Sequence, residues 1–184
     1  MAEPIVELPE SVRSAAAEAP FGPVIVGRER SRPGGEVSLL LVDDNPELLD
    51  SLHDLVSLYG FRPDKALGGQ QALTMLGTKS YDVVLLDLIM PEVSGHDLLD
   101  YAAGKALDTK LIVVSGEGTF ESVQHALHCG AFDYVRKPYD PRELIATLEA
   151  ALRQRQLELE NRAMEARLRE SEALHRFIVD SSPD

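Results

Sequence analysis

Tyr81-Asp82-Val83-Val84-Leu85-Leu86-Asp87-Leu88-Ile89-Met90-Pro91 is the run from which the rest of this 184-residue chain becomes readable. Its apolar segment, Val83 to Leu86, has no polar alternation, so it reads as a strand buried on both faces. The strand stops on an aspartate, and Pro91 and Gly95 break the chain soon afterwards. A carboxylate at the carboxyl end of a buried parallel strand stands where open α/β sheets build their sites. Taken alone, Asp87 reads as a cap for the next helix. Residues elsewhere in the chain change that reading.

Upstream, Leu39-Leu40-Leu41-Val42 is a second short buried strand, and Asn45-Pro46-Glu47 opens a helix with Asn45 as its cap. That helix carries Leu48, Leu49, Leu52, Leu55, Val56 and Tyr59 at helical spacing and ends at Gly60. Residues 61–67 form a weak strand and Gln70 to Leu76 a helix. Downstream, His96 to Ala103 is helical, Leu111 to Val114 a strand, Phe120 to Cys129 a helix and Phe132 to Val135 a short strand. A last helix opens near Pro141. Five strands alternating with five helices through short loops predict an α/β fold, a doubly wound five-stranded parallel sheet of order 2-1-3-4-5. This is the flavodoxin-like arrangement.

The flanks differ in texture. Residues 1–37 are rich in Ala, Pro, Glu and Gly, and read as a disordered tail. The last helix has no Gly or Pro from Glu143 to Phe177, a length of about 50 Å at about 1.5 Å per residue. Leu144, Ile145 and Leu148 suit a sheet, but beyond Arg153 no sheet remains to be covered. Leu157, Met164, Leu168, Leu174 and Ile178 nevertheless continue at roughly heptad spacing, broken by Asn161, Ser171 and His175. Residues 151–178 therefore read as a coiled-coil helix seeking a partner, and a homodimer is expected.

Composition excludes several classes. A hydrophobic content of 44% supports a packed core, and the single cysteine, Cys129, rules out an intramolecular disulfide framework. No window resembles a membrane span, and the acidic N-terminus has no basic start of a secretory signal, so a cytoplasmic location is expected. The net charge is −13, and residues 38–148 hold 17 Asp/Glu against 8 Lys/Arg. Such a surface is a poor match for nucleic acid.

Four groups fall at the carboxyl ends of four predicted strands: Asp43 with Asp44, Asp87, Ser115, and Lys137 followed by Pro138. In the predicted sheet they converge. Crowded carboxylates repel unless a cation intervenes, and a hard, oxygen-seeking ion such as Mg²⁺ fits best. Lysine supplies a point charge for a phosphoryl oxygen and serine a hydroxyl donor. The chemistry so assembled is in-line attack by an aspartate oxygen on phosphorus, giving an acyl phosphate. Each residue alone has a plainer explanation, as a cap, a turn or a surface lysine. Their joint placement does not.

Val42-Asp43-Asp44, Leu86-Asp87-Leu88-Ile89-Met90-Pro91-Glu92-Val93-Ser94-Gly95, Val114-Ser115-Gly116 and Lys137-Pro138 resemble the motifs of two-component response-regulator receiver domains. The likeness covers residues 38–150. It implies that Asp87 is the phosphoacceptor, and that Asp44, Asp87 and the Ile89 backbone carbonyl bind Mg²⁺ with help from Asp43. It further implies Ser115 as the switch hydroxyl, Tyr134 as the switch aromatic and Lys137 as the phosphoryl-contacting lysine. Ile89 and Glu117 fall at the positions that tune dephosphorylation. The implied partner is a histidine kinase or phosphotransfer protein, and the implied role is a phosphorelay switch rather than an enzyme. Residues 170–184 resemble the helix leading into a PAS sensor domain, so 179–184 are expected to begin such a domain in a longer protein.

Two other functions compete. A haloacid-dehalogenase-type phosphatase also forms an aspartyl phosphate, but needs an aspartate two residues after the nucleophile, where this chain has Ile89. A transcription factor would need a DNA-binding unit after residue 150, where only a helix is predicted. A receiver acting alone as an interaction module is the remaining alternative. His125, His128 and Cys129 lie within one helical turn, but without a second half they read as helix surface and core rather than a metal site.

Overall fold

The computed structural model describes residues 31–32, 35–116 and 119–180. Residues 1–30 of the expected tail, Glu117, and the last four residues of the expected PAS-like start lie outside the described residues. Five strands build the sheet: β1 (Leu39–Asp43), β2 (Pro63–Leu67), β3 (Val83–Leu86), β4 (Lys110–Ser115) and β5 (Asp133–Arg136). They are parallel and ordered β2-β1-β3-β4-β5, as the strand pattern predicts. Helices α1 (Pro46–Leu58), α2 (Gly69–Thr78), α3 (Gly95–Gly104), α4 (Phe120–His128) and α5 (Pro141–Asp180) alternate with them.

Side chains of a strand point alternately to the two faces, and here the two faces build two cores. Leu40, Val42, Val84, Leu86 and Val113 point to one side, where Ala72 and Leu76 of α2, Leu98, Leu99 and Ala102 of α3, and Ala126 of α4 cover them. Leu39, Leu41, Val83, Leu85, Ile112 and Val114 point to the other, against Leu49, Leu52 and Val56 of α1 and Leu144, Ile145, Leu148 and Ala151 of α5. Each leucine-sized side chain so buried contributes about 1.5–3 kcal/mol relative to exposure. The unbroken apolar runs of β1 and β3 follow from this, since both of their faces are covered. β2 and β5 lie at the edges and are only partly buried, which explains their weaker sequence signals.

Local chemistry sets the helix starts. The Asn45 side chain accepts from the Glu47 and Leu48 amides ahead of Pro46 at the first turn of α1. Ser94 and Asp97 form a reciprocal capping box on α3. Thr119 caps α4 by accepting from the Ser122 amide.

Two features depart from the sequence reading. The end of the predicted tail has structure: Ser31–Arg32 pairs antiparallel with Gly35–Glu36, and Val37 is buried against the α1/α5 core. The last helix also stays attached beyond Arg153. Arg155 is buried, its Nε donating to Asp82 Oδ1 at 2.7 Å and its Nη1 to the carbonyl and carboxylate of Asp108. Lys110 reaches Glu158 at 2.7 Å, and Arg162 reaches Asp108 at 3.1 Å. The attachment is ionic rather than apolar, so hydrophobic periodicity does not register it. Further along, Leu157, Met164, Leu168 and Leu174 are all exposed.

Candidate functional site

All four strand-end groups lie along the carboxyl edge of the sheet. Asp43 is the last residue of β1 and is buried, its Oδ1 accepting from the Asn45 amide at 2.9 Å. Asp87 follows β3, its amide donating to the Val42 carbonyl at 3.0 Å, which fixes it beside β1. Asp87 Oδ1 accepts from the Ile89 amide at 3.1 Å. Lys137 follows β5 and its amide donates to the Ser115 carbonyl at 2.9 Å, ahead of a cis peptide to Pro138. Its Nζ spans the edge to Asp43 Oδ2 and Asp87 Oδ2, at 2.6 Å from each. Burial alone would push the Lys137 ammonium down, but its bonds to Asp43 and Asp87 outweigh this and hold it above the usual lysine range.

Asp44, the next residue after Asp43, is exposed. Ser115 ends β4 fully buried. Tyr134 sits half-buried on β5, paired in register with Val113 and packed on the core under α2, α3 and α4. The Ile89 side chain is 57% exposed beside Asp87. Glu117 lies outside the described residues. Gly95 explains itself here: an added Cβ would fall 2.3 Å from the Asp87 carbonyl oxygen and 2.6 Å from Leu88 Cα. The first turn of α3 therefore presses directly on the backbone that carries Asp87.

The donor set suits a small hard cation. Two buried carboxylates share the Lys137 ammonium, which already stands between them as a positive charge, and exposed Asp44 adjoins Asp43 in the chain. Sequence reading missed Tyr139, two residues after Lys137. Its half-buried phenol is pushed up, chiefly by burial, with Lys137 opposing and Asp43 reinforcing the shift. The signal was its closeness in sequence to Lys137.

The family profile described as the response regulator receiver domain matches residues 39–149. Over 114 residues the chain is 32% identical to the response regulator SaeR of Staphylococcus aureus (strain USA300), covering 62% of this chain and 50% of that protein. The chain thus aligns with about half the length of that relative. Among solved structures, a CheY-like receiver domain protein from Methanospirillum hungatei JF-1 superposes with a TM-score of 0.64 at 27% identity, covering 66% of this chain and 98% of that one. The receiver domain of an HD domain-containing protein from Pseudomonas fluorescens Pf-5 gives 0.62 at 27% identity, covering 65% and 97%. The chain belongs to the response-regulator receiver-domain family, whose members generally hold Mg²⁺ at an acidic site. Among the described residues, no helix is long and apolar enough to cross a membrane.

Proposed function

We propose that this chain is a phosphorylation switch whose phosphoacceptor is Asp87. The observation that carries the reading is the Lys137 ammonium at 2.6 Å from both Asp43 and Asp87 on the sheet edge. An Asp87 oxygen attacks the phosphorus of a phosphohistidine or a small acyl phosphate. The new P–O bond forms as the donor's P–N or P–O bond breaks, and the leaving group departs with the bonding pair. Lys137 exchanges its bond to Asp87 for one to a phosphoryl oxygen while Asp43 continues to orient it. The Ser115 hydroxyl donates to a second phosphoryl oxygen, and Tyr134 on the adjacent strand follows the change. Asp43, Asp44, Asp87 and the Ile89 carbonyl are the candidate ligands for Mg²⁺, which when bound neutralises the charge gathered at the carboxylates and the incoming phosphoryl group. Ile89 and Glu117 set how readily water reaches the acyl phosphate.

Residues 38–150 form the receiver in this reading, and 151–178 the helix that carries its state onward to a PAS-like domain beginning at 179–184. The exposed row Leu157, Met164, Leu168 and Leu174 supports a parallel homodimer through α5. Acetyl phosphate with Mg²⁺ should add one base-labile phosphoryl group to the wild type and none to Asp87→Asn, read by intact mass. Equal labelling of the two would remove Asp87 from the role. The dimer has its own check: wild type should sediment as a dimer at micromolar concentration, and Leu168→Ser with Leu174→Ser as a monomer. Identical sedimentation would leave α5 a passive linker.

A further inference from the structure

The face made by α3 and α4 holds a second side-chain cluster, which the phosphoacceptor chemistry does not use. Cys129 caps α4, and His125 lies one turn before it. The Cys129 Sγ is 3.7 Å from each ring nitrogen of His125, so either can be turned towards it. From the neighbouring helix, Asp100 Oδ1 accepts from the same thiol at 3.4 Å. One ligand atom from each of the three residues lies within 4.8 Å of those of the other two. His96 stands one turn before Asp100, its ring 5.0 Å from the His125 ring and edge-on to it. Asp100 on one helix thus meets the His125–Cys129 pair on the other, with the His96 ring against His125. This is the second half that α4 lacks when read by itself.

A hydrogen-bonded surface cluster needs only neighbouring pairs to touch, whereas these atoms converge from three residues. Zinc binds sulfur at about 2.3 Å and nitrogen or oxygen at about 2.0 Å, so tetrahedral ligand atoms stand about 3.3–3.8 Å apart. The 3.4 and 3.7 Å separations around Cys129 fall in that interval. The donor set of thiol, imidazole and one carboxylate is too soft for Mg²⁺ or Ca²⁺ and suits zinc-like ions.

We propose that Asp100, His125 and Cys129 form a transition-metal site of the zinc class, its fourth position filled by His96 or water. Binding replaces the S–H bond with a sulfur–metal bond and releases the proton to solvent. The ion cross-links α3, which follows Asp87 in the chain, to α4, which follows Ser115. The two helices leading away from the phosphoacceptor edge are thereby pinned to each other.

Cys129 is the only cysteine, so a thiolate-to-cobalt charge-transfer band reports this site alone. The full chain, with Mg²⁺ in excess to fill the carboxylate edge, is titrated with Co²⁺ and then Zn²⁺. One Co²⁺ per chain should give the band and Zn²⁺ should displace it. Cys129→Ser should abolish the band, and His125→Ala and Asp100→Asn should each weaken binding about ten-fold or more. His128→Ala, exposed on the same helix and outside the cluster, should bind as wild type does. Asp100, His125 and His128 are exposed and Cys129 is partly buried, and circular dichroism checks that each variant keeps its fold. Absence of the band in wild type, an equal loss in His128→Ala and His125→Ala, or one metal shared between two chains in sedimentation would each overturn the site.

Discussion

The two ends of the sheet solve one electrostatic problem in different ways. At the carboxyl edge Lys137 bridges Asp43 and Asp87; at the amino edge Arg155 bridges Asp82 and Asp108. Lysine is a compact point charge on a flexible stem, while arginine offers a planar fork of fixed geometry. Lys137 reaches its two carboxylates, Asp43 and Asp87, through that flexible stem. Arg155 adds a backbone carbonyl to its carboxylates, and Asp82 also accepts the Ser38 amide at 2.9 Å, so the amino-edge cluster is locked. Similar charges therefore give a flexible bridge at one edge and a rigid anchor at the other.

The largest test of that contrast is the pair Arg155→Ala and Lys137→Ala. Removing Arg155 takes away the cation paired with the buried Asp82 carboxylate, and should cost about 3–5 kcal/mol in urea unfolding. Lys137→Ala should cost less, and added Mg²⁺ should restore part of the loss by replacing the missing positive charge. If Mg²⁺ rescues both variants equally, or neither, the two edges do not differ as described.

A smaller effect separates site carboxylates from scenery. Asp44→Ala should weaken Mg²⁺ binding about ten-fold, or about 1.4 kcal/mol. Asp50→Ala should leave it unchanged, because exposed Asp50 is paired with Lys65 at 2.7 Å on the α1/β2 surface. Equal Mg²⁺ affinities in a titration would exclude Asp44 from the site.

The smallest effect concerns acid. Burial alone would raise the Asp108 carboxyl, but Arg155 and Arg162 outweigh it and hold it below its usual 3.8. A carboxyl depressed by folding stabilises the fold at pH values above its unfolded pKa, and that contribution disappears as pH falls through the folded pKa. Thermal unfolding of wild type should therefore lose stability below about pH 4, and Asp108→Asn should show a shallower acid limb. Parallel limbs would mean that Asp108 contributes nothing through its charge.

Both the sheet order and the carboxyl-edge trio were legible because they rest on local signals. Val83–Leu86 is apolar throughout because both of its faces are covered, and Asp43, Asp87 and Lys137 each stand at or next to a strand end that composition marks. The amino-edge cluster was not legible. Arg155 lies 73 residues from Asp82, inside a helix whose charged residues look solvated, and only the docking of α5 brings the two together. Asp100 was hidden from Cys129 in the same way, since the packing of α3 beside α4 is not written in either helix. The pairing of 31–32 with 35–36 escaped because two-residue strands carry too little pattern to be read.

Because α5 is gripped at Arg155 and Arg162, the rest of it would act as a lever with its fulcrum on the amino edge if the helix carries the receiver's state onward. From Ala163 to Asp180 this arm extends about 27 Å, taking about 1.5 Å per residue. A tilt of about 5° at the fulcrum would swing the far end by about 2 Å, the scale of helix shift that switches protein interfaces. Mechanical gain of this kind needs a stiff rod and a firm pivot more than a large motion near Asp87.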